Sequence, residues 1–158
     1  SLNSKQLKEL KYLEACIKES LRLMPSVPGV IRVAEEDIHY EHYTIPKGSS
    51  MLLYISMIQR DPAQFSNPNE FIPERFLENI SSESHQHKPN PYAYVPFSAG
   101  NRNCIGQKFA IQEEKILLAF VLRHFRLESI KQLDDIEVYP ELVMRHKESI
   151  DIRFFARN

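Results

Sequence analysis

Cys104 stands between Gly100 and Gly106, two residues after Arg102, and a long apolar run follows soon afterwards. Thiolate is the form of cysteine that ligates a metal, so a ligand cysteine needs positive surroundings: a helix N-terminus, backbone N–H groups or a nearby cation. The residues around Cys104 can offer all three. The two glycines permit positive φ or close backbone approach, which lets a loop wrap tightly under a flat cofactor. Arg102 can reach an acidic group on such a cofactor. A lone cysteine is more often a small buried hydrophobe, so the neighbouring motifs have to decide between the two readings.

The pattern Phe97-x-x-Gly100-x-Arg102-x-Cys104-x-Gly106, with Ala110 four residues further on, resembles the haem-binding loop of cytochromes P-450, the haem-thiolate monooxygenases. Glu19 and Arg22 form an E-x-x-R pair that resembles the K helix of that family, and Pro73-Glu74-Arg75-Phe76 resembles its P-E-R-F box, in matching order and separation. The resemblance runs through essentially all 158 residues. Around the cysteine, with Glu113, Glu114 and Lys115 beyond it, the wording is most similar to the animal family-4 branch, known for fatty-acid ω-hydroxylases. Two positions depart from the pattern. Asn101 replaces a usual proline and loses a fixed φ without touching a ligand, and Gln59 stands where histidine commonly precedes Arg60-Asp61-Pro62.

The resemblance implies a mixed α/β, mainly α fold: a K helix, a small β sheet, a meander, the cysteine loop, an L helix and a C-terminal β hairpin. Residues 1–158 would be the C-terminal, haem-ligating portion of one longer domain. It implies haem b as cofactor, with Cys104 as catalytic axial ligand to the iron; a thiolate there pushes electron density to the metal and favours O–O cleavage. Arg102 and Arg32 are candidate propionate partners, because guanidinium matches carboxylate in a two-pronged geometry that lysine lacks. Phe97, Gly100, Gly106 and Ala110 complete the cofactor-binding set. Glu19, Arg22 and Arg75 are expected to form a buried network, Glu19 lying between the two cations. The implied parent hydroxylates a lipophilic substrate (fatty acid-like, steroid or xenobiotic) with O2 and electrons from an NADPH-dependent cytochrome P-450 reductase. Its place is the cytosolic face of the endoplasmic reticulum membrane, held there by an N-terminal anchor outside this chain. The residues that deliver protons to oxygen also fall outside, on an upstream helix. Lys108 is a candidate for contact with an acidic redox partner. The rival reading is of a different class: a truncated, noncatalytic product that acts at most as a partly folded interaction module.

Composition bounds these readings without choosing among them. With 42% hydrophobic residues the chain can build a core, and 20 Lys and Arg against 21 Asp and Glu give a net charge of -1, so no bulk field favours nucleic acid. If Cys104 is a ligand, Cys16 has no disulfide partner, which favours a reducing compartment. The longest apolar run, residues 116–122, is far short of the roughly 20 residues a membrane-spanning helix needs. Asn79-Ile80-Ser81 fits a glycosylation sequon, discounted for a cytosolic face. His85 and His87 have no second pair at ligand spacing, so zinc is disfavoured. His124 lies about 30 Å along a helix from Cys104 at ~1.5 Å per residue, which disfavours a thiol–imidazole couple.

The elements that must position these residues are read from periodicity. Apolar residues at Leu10, Leu13, Ile17, Leu21 and Met24 predict a helix over 7–24, ended by Pro25 and Pro28. Extended segments are expected over 30–34, 36–45 and 49–54, with turn chemistry at Pro46-Lys47-Gly48 joining the latter two. A short helix is expected over 55–60, an irregular proline-punctuated stretch over 65–76, and a polar mobile loop over 81–91. After Gly106 a helix resumes whose 116–122 portion is apolar on every side and so is expected to be buried. The alternation over 142–145 and 150–155 predicts a hairpin around residues 146–149.

Overall fold

The computed structural model describes residues 4–77, 90–132, 135–139 and 141–157. Asn79, Ile80, Ser81, His85, His87 and nearly all of the expected 81–91 loop lie outside the described residues. The first helical pattern is two helices, α1 (Ser4–Glu9) and α2 (Lys11–Leu23), broken at Leu10, whose ψ of 59° is not helical. Ala15, Ile17, Leu21 and Leu23 form the buried stripe of α2.

Strand β1 (Val30–Val33) pairs antiparallel with β4 (Ser50–Leu53), and β2 (Ile38–Tyr40) pairs with β3 (Tyr43–Ile45). The 36–45 segment is therefore a hairpin rather than one strand. Glu41 makes the reversal possible by taking a positive φ of 50°, and His39 and Thr44 face each other across it through a 3.0 Å hydrogen bond. Gly29 leads into β1 where no side chain fits easily: a Cβ there would sit 3.1 Å from Leu52 Cδ1 and 3.3 Å from Leu53 O. Helix α3 (Ile55–Ile58) follows, and Pro73–Phe76 forms a single 3₁₀ turn.

Helix α4 (Gln107–His124) carries the apolar run. Burial on all sides is not what the structure shows: Ile116 is 49%, Leu117 60% and Phe120 59% exposed. The helix meets α2 along one side, where Lys115 is buried and bonds Glu14 at 2.9 Å; Glu14 also takes Lys18 at 2.8 Å. Among the described residues no element covers the opposite side.

The end of the chain pairs differently from the expected hairpin. Strand β5 (Phe125–Ser129) pairs with β8 (Ile152–Ala156), and β6 (Val138–Tyr139) pairs with β7 (Arg145–His146). A small hairpin is present, but 142–145 and 150–155 do not face each other. Cross-strand partners explain the choice. Phe154 packs edge-on to Phe125 at 5.6 Å, and Arg126 lies 4.3 Å over the Phe155 ring, pairings that outbid simple proximity in sequence. Arg157 then donates its backbone N–H to His124 O at 2.8 Å and its Nε to Phe125 O at 3.2 Å, satisfying carbonyls at the end of α4.

Glu14→Ala would leave the Lys115 ammonium buried without its carboxylate. A buried, unsatisfied charged group costs about 1–3 kcal/mol, so the full-length protein should lose stability on that scale in urea. Lys115→Met, which removes the charge and keeps the apolar stem, should lose less.

Candidate functional site

The loop from Phe97 to Gly106 is shaped by its own backbone. Ser98 N donates to Val95 O at 2.9 Å, and Cys104 N donates to Phe97 O at 3.0 Å, so the cysteine is folded back beside the phenylalanine that opens the loop. Ser98 and Gly100 both take positive φ, 63° and 77°; at Gly100 only glycine adopts this without strain. Gly106 ends the loop and precedes α4, where Gln107 N reaches Cys104 O at 3.4 Å and Ala110 N bonds Gly106 O at 2.9 Å. A Cβ on Gly106 would occupy space 3.8 Å from Cys104 Sγ. Cys104 is thus an exposed thiol one turn ahead of the N-terminus of α4.

This thiol lines a cavity of about 310 Å³ whose apolar wall is Leu21, Val27, Val30, Ile55, Pro96 and Phe97, with Ser98 and Arg102 at its edge. Arg102 is exposed and, among the described residues, makes no hydrogen bond or ion pair. Arg32 arrives from β1: its guanidinium donates to Ser98 Oγ at 3.1 Å and to Ile31 O at 3.0 Å. Cys104, Arg102 and Phe97 therefore line one cavity, and Arg32, outside that lining, reaches its wall through Ser98 Oγ. Gly100, Gly106 and Ala110 do not line the cavity; they set the backbone that presents Cys104. A soft thiolate donor, an apolar wall and two guanidinium groups form a donor set that fits a flat iron-bearing ring with acidic side arms.

The second cluster lies behind this face. Glu19 and Arg22 are both 0% exposed. Arg22 Nε and Nη2 grip the Glu19 carboxylate at 2.8 and 2.9 Å, two parallel bonds on adjacent turns of α2. Glu19 Oε1 accepts two more, from Ile72 N at 2.9 Å and Arg75 Nε at 3.0 Å. The remaining donors of Arg22 reach Gln59 O, Pro68 O and Glu70 O at 2.9, 2.7 and 3.1 Å, while Arg75 holds Ser66 O at 3.1 Å. Burial alone would push the Glu19 carboxyl up. The bonds from Arg22, Ile72 and Arg75, with the charge of Arg22, outweigh burial and hold it below the ordinary carboxylate range. Tyr94 links the two clusters: its hydroxyl donates to Lys18 O at 3.1 Å, its ring packs 4.8 Å from Phe76, and burial, reinforced by Glu19, pushes its ionisation well above the ordinary range.

Three contributors were not legible from residue spacing. Gln59 and Lys115 are buried polar groups that no periodicity marks, and Ser98 serves as acceptor for Arg32. For Gln59 the only signal was its departure from histidine; for Ser98 there was none.

A family model described as cytochrome P450 matches residues 1–154. The chain is 46% identical over 152 residues to human cytochrome P450 4V2, covering 96% of this chain and 28% of that protein. It is 40% identical over 154 residues to cytochrome P450 4c3 of Drosophila melanogaster, covering 98% and 28%. Among solved structures, retinoic acid-bound cyanobacterial CYP120A1 superposes with a TM-score of 0.87 at 30% identity, covering 99% of this chain and 35% of that one. The haem domain of a cytochrome P450DA mutant superposes with the same TM-score, 0.87, at 27% identity. The chain spans about 28% of the length of these curated relatives.

Two outcomes follow from the buried cluster. Arg22→Ala leaves the Glu19 charge short of its main partner and should cost roughly 3–5 kcal/mol, read as loss of folded, haem-retaining full-length protein. Because the folded Glu19 carboxyl is held below its ordinary value of 4.5, its stabilisation is complete above that pH and is lost as pH falls through the lower folded value. Glu19→Gln should lower stability at neutral pH and flatten the acid limb of a pH–stability curve; an unchanged acid limb would assign that limb to other carboxylates.

Proposed function

Because this chain belongs to the cytochrome P450 family, we propose that it is the C-terminal, haem-ligating portion of a monooxygenase domain, with Cys104 as the axial ligand. The observation that carries this is the exposed Cys104 thiol on the rim of an apolar cavity beside Arg102. Haem b held there would supply oxygen activation, with the thiolate's electron donation favouring O–O cleavage.

The residues of this chain divide the remaining work. The bond from Cys104 N to Phe97 O and the start of α4 at Gln107 fix where the Cys104 sulfur stands. Arg102 at the cavity and Arg32, fixed by Ser98 Oγ, would bind the acidic side arms of the ring. Phe97, Val27 and Val30 give the apolar contact and exclude water from the ring face. Glu19, Arg22 and Arg75 touch none of this; they hold α2 to the segment around the 3₁₀ turn.

The parent enzyme would take a lipophilic substrate, O2 and electrons from an NADPH-dependent cytochrome P450 reductase, on the cytosolic face of the endoplasmic reticulum. The family-4 relatives support that setting. No helix among the described residues is long and apolar enough to cross a membrane. Reductase contact is assigned to the face where Lys108 and Lys8 stand around a groove of about 410 Å³ whose other charges, Lys18 and Lys115, are paired with Glu14, since a positive face steers encounter with an acidic partner.

The full-length protein, reduced and exposed to carbon monoxide, should show a thiolate-type red-shifted Soret band that Cys104→Ala abolishes. A histidine-type spectrum in the wild type would refute the assignment. Lys108→Glu should slow reductase-driven reduction and weaken its salt dependence, leaving the carbon monoxide spectrum intact; unchanged kinetics would remove Lys108 from the docking face.

A further inference from the structure

The Gln59 side chain is 0% exposed and uses both of its N–H donors and its oxygen. Nε2 donates to Leu21 O at 2.9 Å and Arg22 O at 3.1 Å, two carbonyls of the last turn of α2 that have no partner within the helix. Oε1 accepts Val95 N at 2.9 Å. The carboxamide therefore caps one element with its nitrogen and anchors another with its oxygen.

Val95 is the foot of the cysteine loop. Its carbonyl takes Ser98 N at 2.9 Å, and that turn sets Phe97 O to receive Cys104 N at 3.0 Å and Ser98 Oγ to receive Arg32 at 3.1 Å. A continuous series of hydrogen bonds runs from a buried amide to the cysteine backbone and to one of the two guanidinium groups. We propose that Gln59 is a positioning residue for the Cys104 thiolate: its Oε1 fixes the height of the loop relative to the end of α2. The proposal rests on the haem-thiolate reading above.

Chemistry at this position is restrictive. A planar amide gives two donors and an acceptor in one plane, matching two carbonyls and one N–H. Methionine has a comparable length and supplies neither the two donors nor the carbonyl oxygen. Glutamate keeps an oxygen for Val95 N–H but offers at most one proton to the two carbonyls, and only when its carboxyl is neutral. The two substitutions thus separate the loop anchor from the helix cap.

The test uses the full-length holoprotein with its reduced carbon monoxide spectrum as readout and circular dichroism as the check on folding. Gln59→Met removes all three bonds of the carboxamide, and loss of the one that reaches the loop, to Val95 N, should change the ratio of shorter-wavelength to red-shifted Soret band about three- to tenfold. Gln59→Glu should keep a near wild-type ratio while melting earlier. Folded Gln59→Met with the wild-type ratio overturns the proposal, whatever its melting temperature. Should Gln59→Met yield no folded protein, Gln59→Glu decides: a retained red-shifted band supports the anchor, and its loss in folded protein overturns it. A wild type with no red-shifted band would instead overturn the haem-thiolate reading, which keeps the two failures distinct.

Discussion

The arrangement depends on the paired bonds between Arg22 and Glu19. Removing two opposite charges from water costs several kcal/mol per ion, and their mutual attraction repays this only when every remaining donor and lone pair is satisfied. Here the surroundings meet that condition. Arg22 spends its other donors on carbonyls of Gln59, Pro68 and Glu70, and Glu19 takes Ile72 N–H and Arg75. Irregular chain with no helix or strand of its own is thereby given fixed partners. The pair is best understood as a bracket for segments that could not fold by periodic hydrogen bonding, and only secondarily as a source of net stability.

The two clusters are coupled through α2. Its face toward Arg75 and Ile72 organises the 3₁₀ turn, and its C-terminal carbonyls meet Gln59, which reaches the loop carrying Cys104. Tyr94, just before that loop, bonds back to Lys18 O on the same helix. A rigid second layer of this kind holds a reactive group in place while the group itself stays exposed, and the most chemically capable side chains, Cys104 and Arg102, are indeed among the least enclosed.

What could be read from the sequence follows from how tightly chemistry restricts residue choice. A thiolate in a tight loop needs cysteine flanked by glycine, and a two-pronged buried ion pair on one helix needs carboxylate and arginine three residues apart; both leave a spelling. Strand partnership does not. The choice of β5 for β8 depends on aromatic and guanidinium contacts across segments far apart in the chain, while the 36–45 reversal hinges on Glu41 adopting a left-handed φ that its residue type does not announce. The apolar run 116–122 was legible as apolar but not as exposed, because burial belongs to whatever lies opposite a surface as much as to the surface itself. Gln59 stood out only as a departure from histidine, and its role was hidden for a third reason: a neutral amide in a polar-looking stretch reads as solvent-facing until its three partners are seen.

The end of the chain has a consequence for inherited variation. Strand β8 and Arg157 hold the last turn of α4 through His124 O and Phe125 O, and the other end of that helix begins three residues after Cys104. A nonsense or frameshift change after residue 150 would leave every motif residue in place, yet remove the strand that seats the helix. A variant screen that scores only motif positions would therefore misclassify such alleles as benign.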